Sequence, residues 1–218
     1  MVRRNAAEIA LSLGVLALGL GVAGVTATLP SEGGYSGIGP NFIPGVVGAG
    51  IVGLMVAALA ARLPGAEVTV VDIDASRMPL VESLGAAFAT PGEAPRDVDI
   101  AFHTSVSQAG LNTAIACAGM EATIIELSWY GDKKVSIDLG GPFHSRRLKL
   151  VSSQVGQVSP GHRPRWSYGR RLTAALNLLS DDRLDALVAA EIAFDDAVAE
   201  LPRILGADAK GLAPVIRY

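Results

Sequence analysis

The chain has 218 residues and a single cysteine, Cys117, so it can form neither an internal disulfide nor a multi-cysteine metal site. Cys117 lies in an apolar run and reads as an inert core thiol. Its three histidines, His103, His144 and His162, lack the close spacing of zinc ligands; no metal site is expected, and a loop or surface setting is the default for each. Aromatic residues are scarce, and 18 basic side chains are set against 21 acidic ones. That balance gives no general attraction for nucleic acid. What the chain has in quantity is small and apolar: half its residues are hydrophobic and 25 are glycine. Such a composition suits helices packed closely on a sheet, or membrane helices, and the length allows one large or two small domains.

Arg3 and Arg4 precede Ile9–Ala27, a run without charge. As a helix rising ~1.5 Å per residue it would span roughly the ~30 Å hydrocarbon core of a bilayer. Val25-Thr26-Ala27 also resembles a signal-cleavage site, so a removed signal competes with an uncleaved span, and the length of the run favours the span. A buried helix of a soluble protein is the third reading. Gly14, Gly19, Gly21 and Gly24 weigh against it, since each weakens a helix in water. A Gly/Pro-rich loop follows from Pro30 to Pro40. Phe42–Ala61 is again free of charge. It can be a second span, or the strand, turn and helix that open a nucleotide fold.

Gly48, Gly50 and Gly53 fit G-x-G-x-x-G, and Glu67-Val68-Thr69-Val70-Val71 then leads to Asp72 at the spacing of a dinucleotide fingerprint. The first glycine allows a tight strand-to-helix turn, the second lets backbone approach a pyrophosphate, and the third lets helix pack on strand. N–H groups opening that helix would present partial positive charge to phosphates. Asp72, ending a strand, can accept from both ribose hydroxyls and would repel a 2′-phosphate. The pattern predicts a strand over Val46–Gly48, shortened by Pro44 and Gly45, and a helix over Ile51–Arg62. One unbroken rod over Phe42–Ala61 would leave no cofactor cleft.

From there strand and helix patterns alternate, which predicts an α/β fold: a Rossmann-like, doubly wound parallel sheet over residues 46–218, preceded by an apolar N-terminal helix within residues 1–45. Further strands are expected at Glu67–Val71, Ala86–Ala89, Val98–His103, Ala122–Leu127, Lys134–Asp138, Leu148–Val151 and Ala213–Arg217. Helices are expected at Ser76–Leu84, with Ser76 as N-cap and Gly85 as stop, and at Gln108–Ala118, Arg170–Leu179, Asp181–Ala190 and Asp195–Leu205.

This order, with Asp72-Ile73-Asp74-Ala75-Ser76-Arg77, Leu84-Gly85-Ala86 and the late Phe194-Asp195-Asp196-Ala197, resembles the coenzyme domain of medium-chain dehydrogenases/reductases, the zinc-type alcohol dehydrogenases among them. The resemblance implies that NAD is the cofactor. It implies that Gly48, Gly50, Ile51, Val52 and Gly53 hold the pyrophosphate and Asp72 the adenosine ribose, with Arg77 along the adenine. It further implies Thr104 and Ser105 near the nicotinamide ribose and Ser128 at the nicotinamide edge. The family's zinc and most of its substrate pocket belong to an N-terminal domain that has no counterpart in these residues. Cofactor binding without alcohol oxidation is therefore the expectation, and no catalytic residue is assigned. Pairing of two copies through the sheet edge is a family expectation, as is a cytoplasmic location, with membrane contact through residues 9–27. Residues 6–53, above all Gly34-Tyr35-Ser36-Gly37-Ile38-Gly39-Pro40-Asn41-Phe42-Ile43-Pro44, resemble instead the small membrane subunit of tripartite tricarboxylate transporters. The two likenesses meet at Val-Gly-Ala-Gly-Ile-Val-Gly, which suggests a junction of two unrelated coding sequences. The alternative function is thus a transporter subunit with residues 9–27 and 42–61 as spans.

Three other signals point elsewhere. Tyr130 and Lys134 fit the Y-x-x-x-K pair of short-chain dehydrogenases, but Gly131-Asp132 reads as a turn that would break the aligning helix. Arg163, Arg165, Trp166, Tyr168, Arg170 and Arg171 read as a solvated loop leading into a helix rather than a nucleic-acid surface. Ser152 and Ser153 lack the Gly-x-Ser-x-Gly context of a nucleophile elbow.

Overall fold

Parallel strands separated by helices organise the chain. The computed structural model describes residues 42–153, 156–188, 191–204, 212 and 214–218. In order these form helix α1 (Phe42–Ala60), strand β1 (Thr69–Val71), helix α2 (Met78–Ser83), β2 (Ala87–Ala89), β3 (Val98–His103) and α3 (Gln108–Cys117). There follow β4 (Ala118–Glu126), the short α4 (Pro142–Ser145), β5 (Lys149–Ser152), α5 (Tyr168–Leu178), β6 (Glu191–Ala193), α6 (Ala197–Ile204) and β7 (Val215–Arg217). Among the described residues all strand pairs are parallel. The fold is α/β and Rossmann-like, as the alternating pattern predicts. The predicted apolar helix over 9–27 and the Gly/Pro-rich loop lie outside the described residues.

Two compact units are distinguished. One comprises Gly53–Ser128 and Val135–Leu187; the other takes in Trp129–Lys134 and the described parts of Met1–Val52 and Val188–Tyr218. In the first, β1 pairs with β2 (Thr69 opposite Ala87), and β4 lies between β3 and β5. Helix α3 lays Leu111 and Ile115 on this three-stranded sheet against Ala118, Ala122, Ile124 and Leu148. Ile124, flanked by strands on both sides, is 0% exposed. Asp97 and Glu121 carry left-handed backbone (φ 62 and 60), and the β3–β4 register shifts between Val98 and Ile100. Gly119 sits in that irregular stretch, where an added Cβ would lie 3.1 Å from the Asp97 carbonyl carbon. In the second unit β6 pairs with β7, and the Phe194 and Tyr218 rings stack at 4.9 Å.

The largest correction concerns the expected first strand. Val46–Gly48 is not extended: the whole of Phe42–Ala60 is one helix. Pro44 falls in its first turn, where no intrahelical N–H is needed, so it does not interrupt the helix. No charged residue follows before Arg62, and Leu54, Ala57 and Ala58 are almost completely buried, which anchors the second half. In a doubly wound sheet the first strand stands between the second and fourth. With those residues helical, the sheet is divided into β1–β2 and β3–β4–β5, and β1 and β3 are edge strands among the described residues. For the reading of 42–61 as a membrane span, no helix among the described residues is long and apolar enough to cross a membrane, and Leu54, Ala57 and Ala58 of α1 are buried in protein.

Other differences are local. Lys134–Asp138 forms no strand, and Asp182–Leu187 is 3₁₀ rather than α. Asp74, not Ser76, is the capping residue ahead of α2; its carboxylate accepts from the Ser76 N–H at 3.0 Å. Ser76 instead lies inside a single 3₁₀ turn, Ala75–Arg77. Gly85 does end α2, at φ +86. Tyr130–Lys134 is not helical, so the Y-x-x-x-K pair is not aligned.

Replacing Ile124 by alanine removes buried methylenes from a site closed on both sides, and is expected to lower stability by about 2–5 kcal/mol in urea unfolding. Cys117 is buried, and burial raises its thiol above the ordinary 9.0 while the Arg96 charge pulls it partly back. A raised value favours the neutral thiol in the fold, so its contribution is present below pH 9.0 and lost as pH climbs past it. Stability measured from pH 8 to 10 should fall more steeply for the native chain than for Cys117→Ala.

Candidate functional site

The C-terminal ends of β3 and β4 carry an unusual set of polar side chains. The register places His103 opposite Glu126, and the strands bring the two residues to the same edge of the sheet. His103 is 4% exposed, which corrects the expectation of a loop or surface histidine. Its Nδ1 lies 2.8 Å from Glu126 Oε2 and 3.0 Å from Oε1, and its Nε2 lies 2.7 Å from Ser105 Oγ. A carboxylate can only accept, so in the neutral imidazole Nδ1 carries the proton and Nε2 accepts from Ser105. Glu126 also accepts from the Ser128 N–H at 2.8 Å, and Ser128 Oγ accepts from the Val106 N–H at 3.2 Å. Ser105 itself is exposed.

The loop that carries Ser105 is tightly held. Val106 adopts φ +52, a left-handed conformation that a β-branched residue rarely takes. Ser107 caps α3, accepting from the Gly110 N–H at 2.9 Å. Gly110 is there because nothing larger fits: a Cβ would come 2.1 Å from Ser105 Oγ and 2.9 Å from His103 Nε2. Neighbouring Thr104 meets α1, where a Cβ on Gly53 would lie 2.7 Å from Thr104 Oγ1.

At the end of β1, Asp72 Oδ1 accepts from the Asp74 N–H at 3.0 Å, and Oδ2 pairs with Arg77 Nη1 at 2.8 Å. A carboxylate offers about four acceptor positions, so two remain for ribose hydroxyls. Arg77, expected along an adenine, pairs with this acid. Gly48, Gly50, Ile51 and Val52 lie within α1. The N–H groups of Gly48 and Gly50 therefore point along a helix toward carbonyls four residues earlier, and no phosphate-binding turn is formed. The unbroken helix over Phe42–Ala60 is thus the outcome that leaves no cofactor cleft at these glycines, and it counts against the fingerprint; Asp72 and the close packing of Gly53 are the parts that still suit a dinucleotide.

Thr104, Ser105 and Ser128 all lie at the ends of β3 and β4, as expected, but Ser105 and Ser128 are tied into the His103–Glu126 network. His103 and Glu126 were not candidates by sequence. Their one visible signal is a polar residue closing each of two apolar strands. Among the described residues no three His, Cys, Asp or Glu side chains converge as a metal site would require. In the basic run, the Arg170 guanidinium sits 4.4 Å from the Trp166 ring and Arg171 5.4 Å from the Tyr168 ring, at the start of α5.

Comparison with known proteins places this geometry in context. Residues 31–126 match the family model described as alanine dehydrogenase/PNT, C-terminal domain. That stretch includes Gly34–Pro44, so the transporter likeness gains no support. No curated protein matches. Among solved structures, galactitol-1-phosphate dehydrogenase from Escherichia coli is 21% identical with a TM-score of 0.60, covering 76% of this chain and 51% of that one. For 2R,3R-butanediol dehydrogenase from Bacillus subtilis the values are 18%, 0.58, 94% and 57%. For Bacillus subtilis protein yhfP with NAD bound they are 17%, 0.53, 93% and 59%. At these identities the likeness shows the fold alone. The chain spans about half the length of these structures.

Gly110→Ala tests the packing of this edge. In an ordinary helix the change gains about 1 kcal/mol. Here the overlap with Ser105 and His103 should reverse the sign, with a loss of about 1–3 kcal/mol in chemical denaturation.

Proposed function

We propose that this chain is the coenzyme-binding domain of a dehydrogenase-like protein and binds NAD(H) through Asp72 at the end of β1, with Thr104, Ser105 and Ser128 toward the nicotinamide. The observation that carries the reading is Asp72: it closes a parallel strand, keeps two acceptor positions open and stands at fingerprint distance from Gly53. The parallel fold and its likeness to dehydrogenase domains support it. Bound cofactor would supply a hydride acceptor or donor; the chain's own residues supply the acid that grips a ribose and the close helix contact at Gly53.

Affinity is weak in this reading, because Gly48 and Gly50 lie in helical turns and meet phosphates only if those turns open. A binding-competent state of low population reduces apparent affinity by its fraction. The Asp72–Arg77 pair also offsets the negative charge that would turn away a 2′-phosphate, so discrimination between NADH and NADPH is slight.

The test is a fluorescence titration of the full chain with NADH and with NADPH. Saturable NADH binding in the micromolar to millimolar range is expected. Asp72→Ala should weaken it about tenfold, or ~1.4 kcal/mol, and Arg77→Ala should widen the preference for NADH over NADPH. No binding at millimolar NADH would overturn the reading.

A further inference from the structure

The same edge carries an arrangement that dinucleotide binding does not require. We propose that Ser105, His103 and Glu126 form a nucleophile–base–carboxylate relay that accepts acyl groups from activated esters. Ser105 Oγ is 2.7 Å from His103 Nε2, and His103 Nδ1 is 2.8 Å from Glu126 Oε2. The contact order is that of a hydrolytic triad, which is recognised by geometry and role rather than by sequence order. The distribution of exposure is also the one such chemistry needs: the serine is exposed, and the imidazole is 4% exposed behind it.

Three further features bear on Ser105. Glu126 fixes the tautomer, leaving Nε2 as an acceptor aimed at the hydroxyl. The strained Val106 follows the serine directly, much as tight turns present nucleophiles elsewhere. The Ser105 hydroxyl packs against Gly110, where a Cβ would displace it, in the first turn of α3, a helix of ten residues capped by Ser107. The N–H groups of Gln108 and Ala109 have no intrahelical partner there, which suits an oxygen gaining negative charge.

The reaction balances without a cofactor. Ser105 Oγ forms a bond to the ester carbonyl carbon as its proton passes to His103 Nε2. The carbon–oxygen bond to the alcohol then breaks, and the departing oxygen takes the proton from Nε2, leaving an acyl-serine. Water repeats the sequence: its proton goes to Nε2, its oxygen binds the acyl carbon, and Ser105 recovers its proton. Ester and water become acid and alcohol, with nothing oxidised or reduced. Ser105 is exposed, and the substrate class is set by intrinsic reactivity: acyl groups on good leaving alcohols, such as aryl acetates. Glu126 acts through His103 and is a positioning residue.

The full chain, without nicotinamide cofactor, is incubated with diisopropyl fluorophosphate and digested for mass spectrometry, and p-nitrophenyl acetate hydrolysis is followed in parallel. One adduct on Ser105 is expected. Ser105→Ala should abolish labelling and lower hydrolysis at least a hundredfold, and His103→Gln, close in shape, should do the same with melting temperature as the folding control. Glu126→Gln should cost at least tenfold, with Glu126→Asp recovering part of the rate at equal melting temperature; a merely structural carboxylate would give equal rates in the two. A chain that takes no label, a label on another serine, or hydrolysis that survives Ser105→Ala overturns the proposal. Because no NAD(H) is present, neither outcome bears on the titration above.

Discussion

The parallel register of β3 on β4 is the constraint from which the rest follows. It sets His103 across from Glu126, and β5 continues the ladder with Ser152 opposite Glu126. Parallel pairing gathers the C-terminal ends of all three strands at one edge, where the loops leaving them must carry the polar groups that a buried sheet excludes. A slip of one residue in β3 would turn His103 to the opposite face and disconnect it from Glu126. The register is held from below by Ile124, Ala118 and Ala122 against Leu111 and Ile115, a packed layer that tolerates no such slip.

How much of this was legible depended on whether the deciding interaction was local. Val98–His103 announced itself by β-branched and aromatic residues bounded by turns, and its bounds are those observed. Gly85 was legible because a positive φ after a helix is a property of one residue. Phe42–Ala60 was not. Its small and apolar residues satisfy a strand–turn–helix and a continuous helix equally, and the choice rests on whether neighbouring strands pair with it, which no local pattern encodes. The cap expected at Ser76 falls instead on Asp74, which caps the 3₁₀ turn Ala75–Arg77 ahead of α2, because Asp74 and Ser76 are both good capping types. The His103–Glu126 contact spans 23 residues and was invisible for the same reason as the helix: it exists only once the strands are in register.

The two acids of the domain have unlike surroundings. Asp72 shares its charge with Arg77 at the partly exposed end of a short strand, which leaves it available to neutral hydroxyl donors. Glu126 is directed at a buried imidazole and at the Ser128 N–H, an arrangement that fixes one ring orientation. One carboxylate thus suits recognition and the other suits proton management, though both end parallel strands in the same unit.

The division of the sheet has a further consequence. β1–β2 is a two-stranded ribbon, and such ribbons are marginal by themselves, whereas β3–β4–β5 shares a buried layer with α3. On β3, Ile100 and Phe102 remain 54% and 43% exposed. The polypeptide therefore has a weak seam: amides of β1 and β2 should trade their protons with solvent through partial openings that leave β4 closed, so that Asp72 rides on the first segment to loosen and His103 on the last.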